Sequence, residues 1–201
     1  MQLAFLHLNL KRNPFGEITE DERARLAVVD IDRILAALQN PHCAVQFLGE
    51  KGYGKTTHLI ALRSRLSGAG YVHIPEGETR PLPEGNPIMI DEAQRLTWWQ
   101  QKTLFRKKVP LVLGTHRNFE LSLKKQGRTV QTIDVGDLNS LNRIQTLLHN
   151  RIEFVRRTDG PVPTVGHRTV RQLQKKYGSD IRAILYELYQ RLQKLEAIDE
   201  L

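Results

Sequence analysis

Short apolar runs, bounded by turn-forming or charged residues, recur along the first two thirds of the chain. They predict five β-strands, near 43–49, 71–74, 87–90, 110–115 and 129–135. Most segments between these runs are long enough for a crossover helix, and that alternation favours a parallel sheet with helices on both faces. The sequence therefore predicts an α/β fold: a three-layer domain around a five-stranded parallel sheet.

Helical spacing of apolar residues appears before the first predicted strand. Residues 19–39 follow this spacing, and Thr19 followed by Glu22 resembles a capping box, so a helix is expected there. Residues 75–87 differ, because their Pro, Gly and charged residues predict a loop between the second and third strands.

The last third of the chain has no strand signals and is helical in pattern. Helices are expected near 141–157, 168–177 and 180–197. We therefore predict two parts: a core over residues 1–136, which includes the N-terminal segment, and a small helical lid over 137–201.

The sequence GEKGYGKT at 49–56 has the pattern of a phosphate-binding loop, and it joins a predicted strand to a predicted helix. Phosphate binding needs close backbone amides, a cation and a helix N-terminus. Lys55 is expected to reach the β and γ phosphates of ATP, and the Thr56 hydroxyl to bind Mg²⁺. The alternative is a glycine turn before an ordinary helix. The residues expected to contact ATP are those of the loop and the next one: Gly49, Glu50, Lys51, Gly52, Tyr53, Gly54, Lys55, Thr56 and Thr57.

The acidic pair in PIMIDEAQ supplies the second half of such a site, at the end of the third predicted strand. Asp91 is expected to hold Mg²⁺, and Glu92 to polarise the attacking water. A carboxylate directly after the aspartate favours hydrolysis of ATP. The alternative is a pair of solvent-facing acids that cap a helix.

Further polar residues are candidates for contact with the γ-phosphate. Thr115 ends the fourth predicted strand, and its neighbours His116 and Asn118 are alternatives; a simple turn after a buried strand is the other interpretation. In the lid, Ser179 is expected to cap a helix whose first turn carries Arg182. Arg182 is expected to swing toward the γ-phosphate, unless it is an ordinary surface arginine.

An arginine acting across a subunit boundary would stabilise charge in a neighbouring site. Arg128 is the first candidate, with Arg117 and Arg151 as alternatives, and a solvated surface role is equally compatible with each. Trp98 and Trp99 are expected to pack in the interior, or to leave one ring facing a partner or a base.

Composition and charge narrow the class of protein and its partners. The chain has 30 Lys and Arg against 22 Asp and Glu, a formal charge of +8. This charge favours a polyanionic partner such as double-stranded DNA; the alternative is a solvated basic surface without a dedicated partner. The basic run at 106–108 has the same two interpretations. Cys43 is expected to be a buried structural residue. No apolar run approaches the roughly 18 residues that span a bilayer, and the start lacks a signal-peptide pattern, so a cytoplasmic protein without membrane contact is expected.

With these motifs in place, the chain resembles AAA+ ATPases, and within them it is similar to the ATPases that regulate transposition and to secretion-associated relatives. The resemblance rests on the Asn13-Pro14-Phe15 segment, the phosphate loop, IDEAQ at 90–94, the strand ending in threonine and GSDIR in the lid. It implies a sheet ordered 5-1-4-3-2, with ATP between core and lid. It also implies adenine near Asn13 and Phe15, and a homo-oligomer, ring or filament, that often assembles on DNA.

Two functions from different classes follow. The leading hypothesis is an ATP-hydrolysing AAA+ regulator that assembles as an oligomer on DNA. The alternative is an ATP-gated switch or adaptor that contacts a partner protein, transposase-like or another effector, with no role for DNA. A nucleotide-binding scaffold with negligible turnover is a third hypothesis, and Glu92 argues against it.

Overall fold

A computed structural model describes residues 5–201 of the chain. Five strands form one sheet in the order β2-β3-β4-β1-β5, and every neighbouring pair is parallel. The strands are β1 Cys43–Leu48, β2 Gly70–His73, β3 Ile88–Asp91, β4 Leu111–Thr115 and β5 Thr129–Asp134. The predicted α/β fold and the strand order 5-1-4-3-2 are confirmed.

The strand register aligns the carboxyl ends of the sheet. Leu48 at the end of β1 lies opposite both Thr115 of β4 and Asp134 of β5, and Asp91 of β3 lies opposite Gly114. Because the strands are parallel, the loops that follow them all emerge at the same edge. This register brings the phosphate-loop sequence, the acidic pair and the end of β4 together.

Helices cover both faces of the sheet and continue into the C-terminal part. Their bounds are α1 Glu20–Leu26, α2 Asp32–Ala37, α3 Lys55–Arg63, α4 Trp98–Arg106, α5 Glu120–Lys124, α6 Val135–Leu138, α7 Leu141–Val155, α8 His167–Tyr177 and α9 Ile181–Leu192. Short 3₁₀ helices occupy Leu6–Leu8 and Ala93–Arg95. The segment between β2 and β3 contains neither helix nor strand, which confirms the predicted loop.

The helix predicted over 19–39 is two helices, α1 and α2. Thr19 and Glu22 form the predicted capping box, with the Thr19 hydroxyl accepting from the Glu22 amide at 3.2 Å. The chain then turns extended at Ala27, immediately before Val28 and Val29. Two successive β-branched residues favour extended backbone, so the apolar spacing continues across a break in the helix.

The core on one face of the sheet is formed with α2 and α3, and the core on the other face with α4 and α5. A third apolar cluster lies within the C-terminal helices α7, α8 and α9. Leu8, Leu10 and Phe15 belong to this third cluster, and the Lys11 amide donates to the carbonyl of Val155 at 2.8 Å. The N-terminal segment therefore packs with the helical part; the boundary at 136–137 stays a prediction.

Arg128 directly precedes β5, at the sheet edge opposite the phosphate-loop sequence. It is buried, and its guanidinium donates to the carbonyls of Phe105 at 2.9 Å, Val109 at 3.1 Å and Cys43 at 3.2 Å, and to that of Lys107. This placement contradicts the hypothesis that Arg128 reaches a neighbouring subunit, because its donors are all directed at its own backbone.

Trp98 and Trp99 begin α4 and are both exposed, by 60% and 70%. The expectation that they pack in the interior is therefore wrong. Their rings meet edge to face with centroids 4.5 Å apart, and the Lys102 ammonium lies 4.9 Å from the centre of the Trp98 ring. Burial of Cys43 is as expected. Among residues 5–201, no helix is both long enough and apolar enough to cross a membrane.

Candidate nucleotide-binding site

The loop GEKGYGKT leaves the end of β1 and leads directly into α3, as the sequence predicts. Gly52 and Gly54 adopt φ values of 90° and 106°, in the left-handed region that favours glycine. The helix begins at Lys55 directly after Gly54, so the unpaired amides of its first turn face the loop. This arrangement is suited to an anion with several oxygens, such as a chain of phosphates.

Lys55 is buried, and its ammonium group lies over the loop. The Nζ atom donates to the carbonyls of Gly49 at 2.8 Å and Glu50 at 3.0 Å, and it lies 3.2 Å from Nε2 of His116. Burial lowers the pKa of Lys55, while the nearby carboxylates of Glu92 and Asp91 act in the opposite direction. The structure thus places a cation between the loop and the acidic pair.

Thr56 and Asp91 meet directly. The Thr56 hydroxyl donates to Oδ2 of Asp91 at 2.8 Å, and the Asp91 side chain is fully buried at the end of β3. A hydroxyl and a carboxylate are the hard oxygen ligands that Mg²⁺ prefers, and Mg²⁺ commonly takes its other ligands from phosphate and water. The donor set therefore fits the predicted magnesium ion.

Asp91 has a further partner that the sequence analysis did not identify. Nδ1 of His73 lies 3.0 Å from the same Oδ2 atom, and His73 ends β2 directly opposite Asp91 in the strand register. These two residues meet because β2 pairs with β3. In the sequence, the signal for this contact was a histidine near the end of the predicted second strand.

Glu92 adopts a left-handed backbone conformation, with φ of 63°. This conformation is uncommon for a residue with a side chain, and it often occurs at functional sites. The side-chain Nε2 of Gln94 donates to Oε2 of Glu92 at 2.6 Å, and the side-chain oxygen of Gln94 accepts from the backbone amide of His116 at 3.2 Å. Gln94 therefore links the acidic pair to the end of β4, a role not anticipated from the sequence.

Arg95 and His116 complete the surroundings of Glu92. A guanidinium nitrogen of Arg95 and Nε2 of His116 each lie 3.5 Å from Oε2 of Glu92. The side chain of Glu92 is 13% exposed, so three polar groups hold it near the surface of the cleft, beside Lys55.

The structure gives Thr115 and its neighbours different surroundings. The Thr115 hydroxyl accepts from the amide of Arg117 at 2.9 Å and donates to its carbonyl at 2.8 Å, so it closes a turn. Asn118 accepts from the amide of Gln46 at 2.8 Å, beside the sheet. His116, which lies between Lys55 and Glu92, is the residue after β4 that the fold brings into the site.

Arg182 lies in the first turn of α9, as expected, and lines the same cleft as Lys55 and Thr56. The residue that caps α9 is Asp180, whose carboxylate accepts from the amide of Ala183 at 3.0 Å. The expectation that Ser179 is the cap is wrong. The Ser179 hydroxyl donates instead to the carbonyl of Gly136 at 2.9 Å.

The lid contacts the phosphate-loop sequence directly. The side-chain Nδ2 of Asn139 donates to the backbone carbonyls of Tyr53 and Ser179, at 3.1 Å each. The Asp180 carboxylate lies so close to Gly52 that a Cβ atom there would approach Oδ1 to 2.1 Å. A side chain at position 52 would therefore require the Asp180 carboxylate to move.

A cavity of about 810 Å³ opens between the sheet edge and the lid. Beyond the phosphate-loop end its lining includes Phe15, Ile18, Val28 and Tyr189, which offer apolar surface for a flat ring. Phe15 is one of these lining residues, and the implied contact of Phe15 with adenine stays a prediction.

The segment that carries Phe15 is held by the helical part. The buried Asn13 donates to the carbonyl of Tyr189 at 3.2 Å and accepts from the amide of Phe15 at 3.0 Å. Arg151 donates to the carbonyls of Pro14 at 2.6 Å and Gly16 at 2.5 Å, and burial lowers the pKa of Arg151 to about 10. Asn13 and Arg151 therefore shape the wall of the cavity.

No protein-family model and no curated protein matches the chain. Its structure is similar to that of RuvB from Thermotoga maritima. One RuvB variant has a TM-score of 0.56 and 14% identity, over 92% of this chain and 67% of that protein. A second variant has a TM-score of 0.55 and 13% identity, over 96% of this chain and 70% of that protein. The structure of the RuvB Holliday junction branch migration motor has a TM-score of 0.51 and 15% identity, over 91% of this chain and 65% of that protein.

The chain therefore shares the fold of RuvB, a five-stranded parallel sheet with helices on both faces. It spans about two thirds of the length of these RuvB proteins. The similarity is one of fold, and it gives no support to the narrower resemblance, to transposition regulators or secretion-associated ATPases.

Proposed function

We propose that this chain binds ATP with Mg²⁺ and hydrolyses it, and that it acts as an AAA+ regulator that assembles as an oligomer on DNA. The observation that carries the ATPase is the contact between Thr56 and Asp91, 2.8 Å apart, with Glu92 next in the chain. It joins the phosphate-loop helix to the acidic pair through the two groups that suit Mg²⁺.

The residues of the chain have distinct roles in this proposal. The amides of the loop and Lys55 bind the phosphates, and Thr56 and Asp91 hold Mg²⁺, which when bound neutralises phosphate charge. Glu92 orients water and accepts its proton. His116 and Arg182 lie at the same cleft, where a cationic or hydrogen-bonding group stabilises the charge of the transferring phosphoryl group.

Two substitutions test the ATPase. Lys55→Ala removes a buried cation from the phosphates, so ATP affinity is expected to fall by about tenfold or more, measured by titration with a fluorescent ATP analogue. Glu92→Gln keeps the shape of the side chain but not its basicity, so phosphate release is expected to fall by about 100-fold or more with ATP affinity retained.

Matched surface variants provide the controls. Lys125→Ala and Glu196→Gln change the same charges at exposed positions away from the cleft, and both are expected to behave like the parent. Unchanged affinity in Lys55→Ala, or unchanged turnover in Glu92→Gln, would contradict the corresponding role.

The role on DNA is supported by two observations. The chain carries a formal charge of +8, and a similar structure is that of a Holliday junction branch migration motor. Binding to a DNA duplex is expected to weaken steeply with salt, because counterion release dominates such contacts. A salt titration with and without ATP, combined with sedimentation analysis of the complex, tests both DNA binding and oligomer assembly; no binding at low salt would exclude the DNA role and leave the ATPase intact.

The alternative is an ATP-gated switch that contacts a partner protein. Its specific support is the exposed pair Trp98 and Trp99, because large exposed aromatic side chains are enriched at protein interfaces. Under this alternative, the double variant Trp98→Ala and Trp99→Ala loses binding to the partner while ATP turnover and DNA affinity stay at parental values.

A further inference from the structure

Helix α8, His167–Tyr177, divides sharply into two faces. Thr169, Val170 and Leu173 are buried, and Val170 and Leu173 belong to the apolar cluster of the C-terminal helices. The exposed positions are occupied only by basic and amide side chains: His167, Arg168, Arg171, Gln172, Lys175 and Lys176.

Arg168, Arg171 and Lys175 are spaced by three and four residues, so they lie on one face of the helix. The row they form extends for about 10 Å. We call these three residues the α8 basic row. The helix itself contains no carboxylate, so the row receives no charge compensation from its own turns.

Two carboxylates reach α8 from elsewhere, and neither neutralises the row. Glu187 pairs with Lys176 at 2.7 Å, and Glu200 lies against Gly166 at the start of the helix. Within residues 5–201, none of the three side chains of the α8 basic row forms an ion pair. Like charges three and four residues apart disfavour a helix, and no ion pair within the described residues offsets that repulsion.

The composition of this exposed face indicates which kind of partner it suits: a protein, a membrane or a nucleic acid. A protein interface usually has a centre of aromatic or apolar side chains, and an interfacial membrane helix exposes an apolar face. The apolar face of α8 is already buried in the helical cluster, and its exposed face has no apolar residue. Phosphate groups of a nucleic-acid backbone need only cations and hydrogen-bond donors.

We propose that the α8 basic row binds the phosphate backbone of duplex DNA. Over about 10 Å of helix axis, a duplex presents on the order of six phosphate charges, enough to engage all three side chains. This inference rests on the proposed DNA role and assigns it to the lid, away from the ATP-binding loop. It predicts backbone contact without preference for base sequence.

The test is a fluorescence anisotropy titration of a labelled duplex of about 30 base pairs over a series of salt concentrations. The triple variant Arg168→Gln, Arg171→Gln and Lys175→Gln is expected to bind about tenfold more weakly or worse at low salt. The slope of log affinity against log salt is expected to fall in magnitude by about 3, because about one counterion is released per contact.

Two further variants make the result specific. Replacing Arg106, Lys107 and Lys108 with Gln removes the same charge at the start of the loop that leads from α4 to β4, and it is expected to retain DNA affinity within about threefold. Exchanging the cations, Arg168→Lys, Arg171→Lys and Lys175→Arg, keeps the charge of α8 and is expected to retain binding. A thermal melt of each variant verifies folding.

The possible outcomes are separable. If the parent binds DNA and the α8 variant binds equally well, the α8 assignment is wrong and the DNA role stands. Equal losses in the two charge-removing variants would show that net charge alone matters, which also overturns the assignment. A parent that binds phosphatidylserine vesicles but not duplex DNA would overturn both the assignment and the DNA role, without affecting the ATPase.

Discussion

Arg143 of the lid helix α7 donates a hydrogen bond to Nε2 of His58 in α3, the helix that follows the phosphate loop, at 3.0 Å. Because arginine can only donate, Nε2 is the acceptor, and the proton of the neutral ring is on Nδ1. That atom then donates to the carbonyl of Gly54 at 3.0 Å. One neutral imidazole therefore joins the lid to the end of the phosphate loop.

The pKa of His58 predicts how stability depends on pH. Burial lowers this pKa to about 4, with Arg143 acting in the same direction and the bond to Gly54 opposing them. In the unfolded chain the imidazole is protonated below about pH 6.5. Between these values the unfolded state binds the extra proton, so the free energy of unfolding falls as pH falls, by about 3 kcal/mol for this group.

Denaturant unfolding from pH 7 to pH 4 measures this dependence. His58→Gln is expected to flatten the curve over that range, whereas the control His149→Gln, at an exposed position, is expected to leave it unchanged. An identical pH dependence in His58→Gln and in the parent would show that His58 is not the responsible group.

Gly52→Ala is expected to destabilise the contact between loop and lid. The backbone there is left-handed, which costs an L residue about 1–2 kcal/mol, and the new Cβ atom would displace the Asp180 carboxylate from its capping position, at about 1 kcal/mol more. We expect a total loss of about 2–3 kcal/mol in the free energy of unfolding, with weaker ATP binding.

Gly127→Ala separates the two contributions. Gly127 also has positive φ but open space around a Cβ atom, so only the backbone cost is expected. In an Asp180→Ala background, Gly52→Ala should cost no more than Gly127→Ala, because the clash has been removed. Strict additivity of Gly52→Ala and Asp180→Ala would contradict the proposed contact.

Arg128→Ala is expected to lower the free energy of unfolding by about 3 kcal/mol or more, because it leaves several buried carbonyls without a donor. The exposed residue Arg33 offers a control, and Arg33→Ala is expected to change stability by less than about 0.5 kcal/mol. If Arg128→Ala keeps parental stability but loses activity that a second, intact subunit restores, the role across subunits would be favoured instead.

Gln94→Ala is expected to lower ATP turnover by about tenfold while ATP affinity changes by less than about threefold. The side chain of Gln94 forms hydrogen bonds with Glu92 and with the backbone of His116, and among residues 5–201 it forms none with the phosphate-loop sequence. Steady-state phosphate release and equilibrium ATP titration measure the two effects, with the exposed Gln193→Ala as control. A loss confined to affinity would indicate that Gln94 acts on the bound nucleotide instead.

The features predictable from the sequence are those determined by neighbours along the chain. The five strands and the loop from β2 to β3 follow from short apolar runs and turn residues. The phosphate loop depends on glycines and a helix start within eight consecutive residues, and the capping box of Thr19 and Glu22 spans only four. Such local patterns depend little on the rest of the fold.

Tertiary structure alone decided the remaining features, because they join residues that are far apart in the sequence. Arg128 is 85 positions from Cys43, and Arg143 is 85 positions from His58, so composition did not predict either contact. Likewise, the pairing of β2 with β3 brings His73 to Asp91, and the path of α4 leaves both tryptophans exposed. The sequence by itself thus determined the unit of strand, glycine-rich loop and helix from β1 to α3; packing decided which polar side chains surround it.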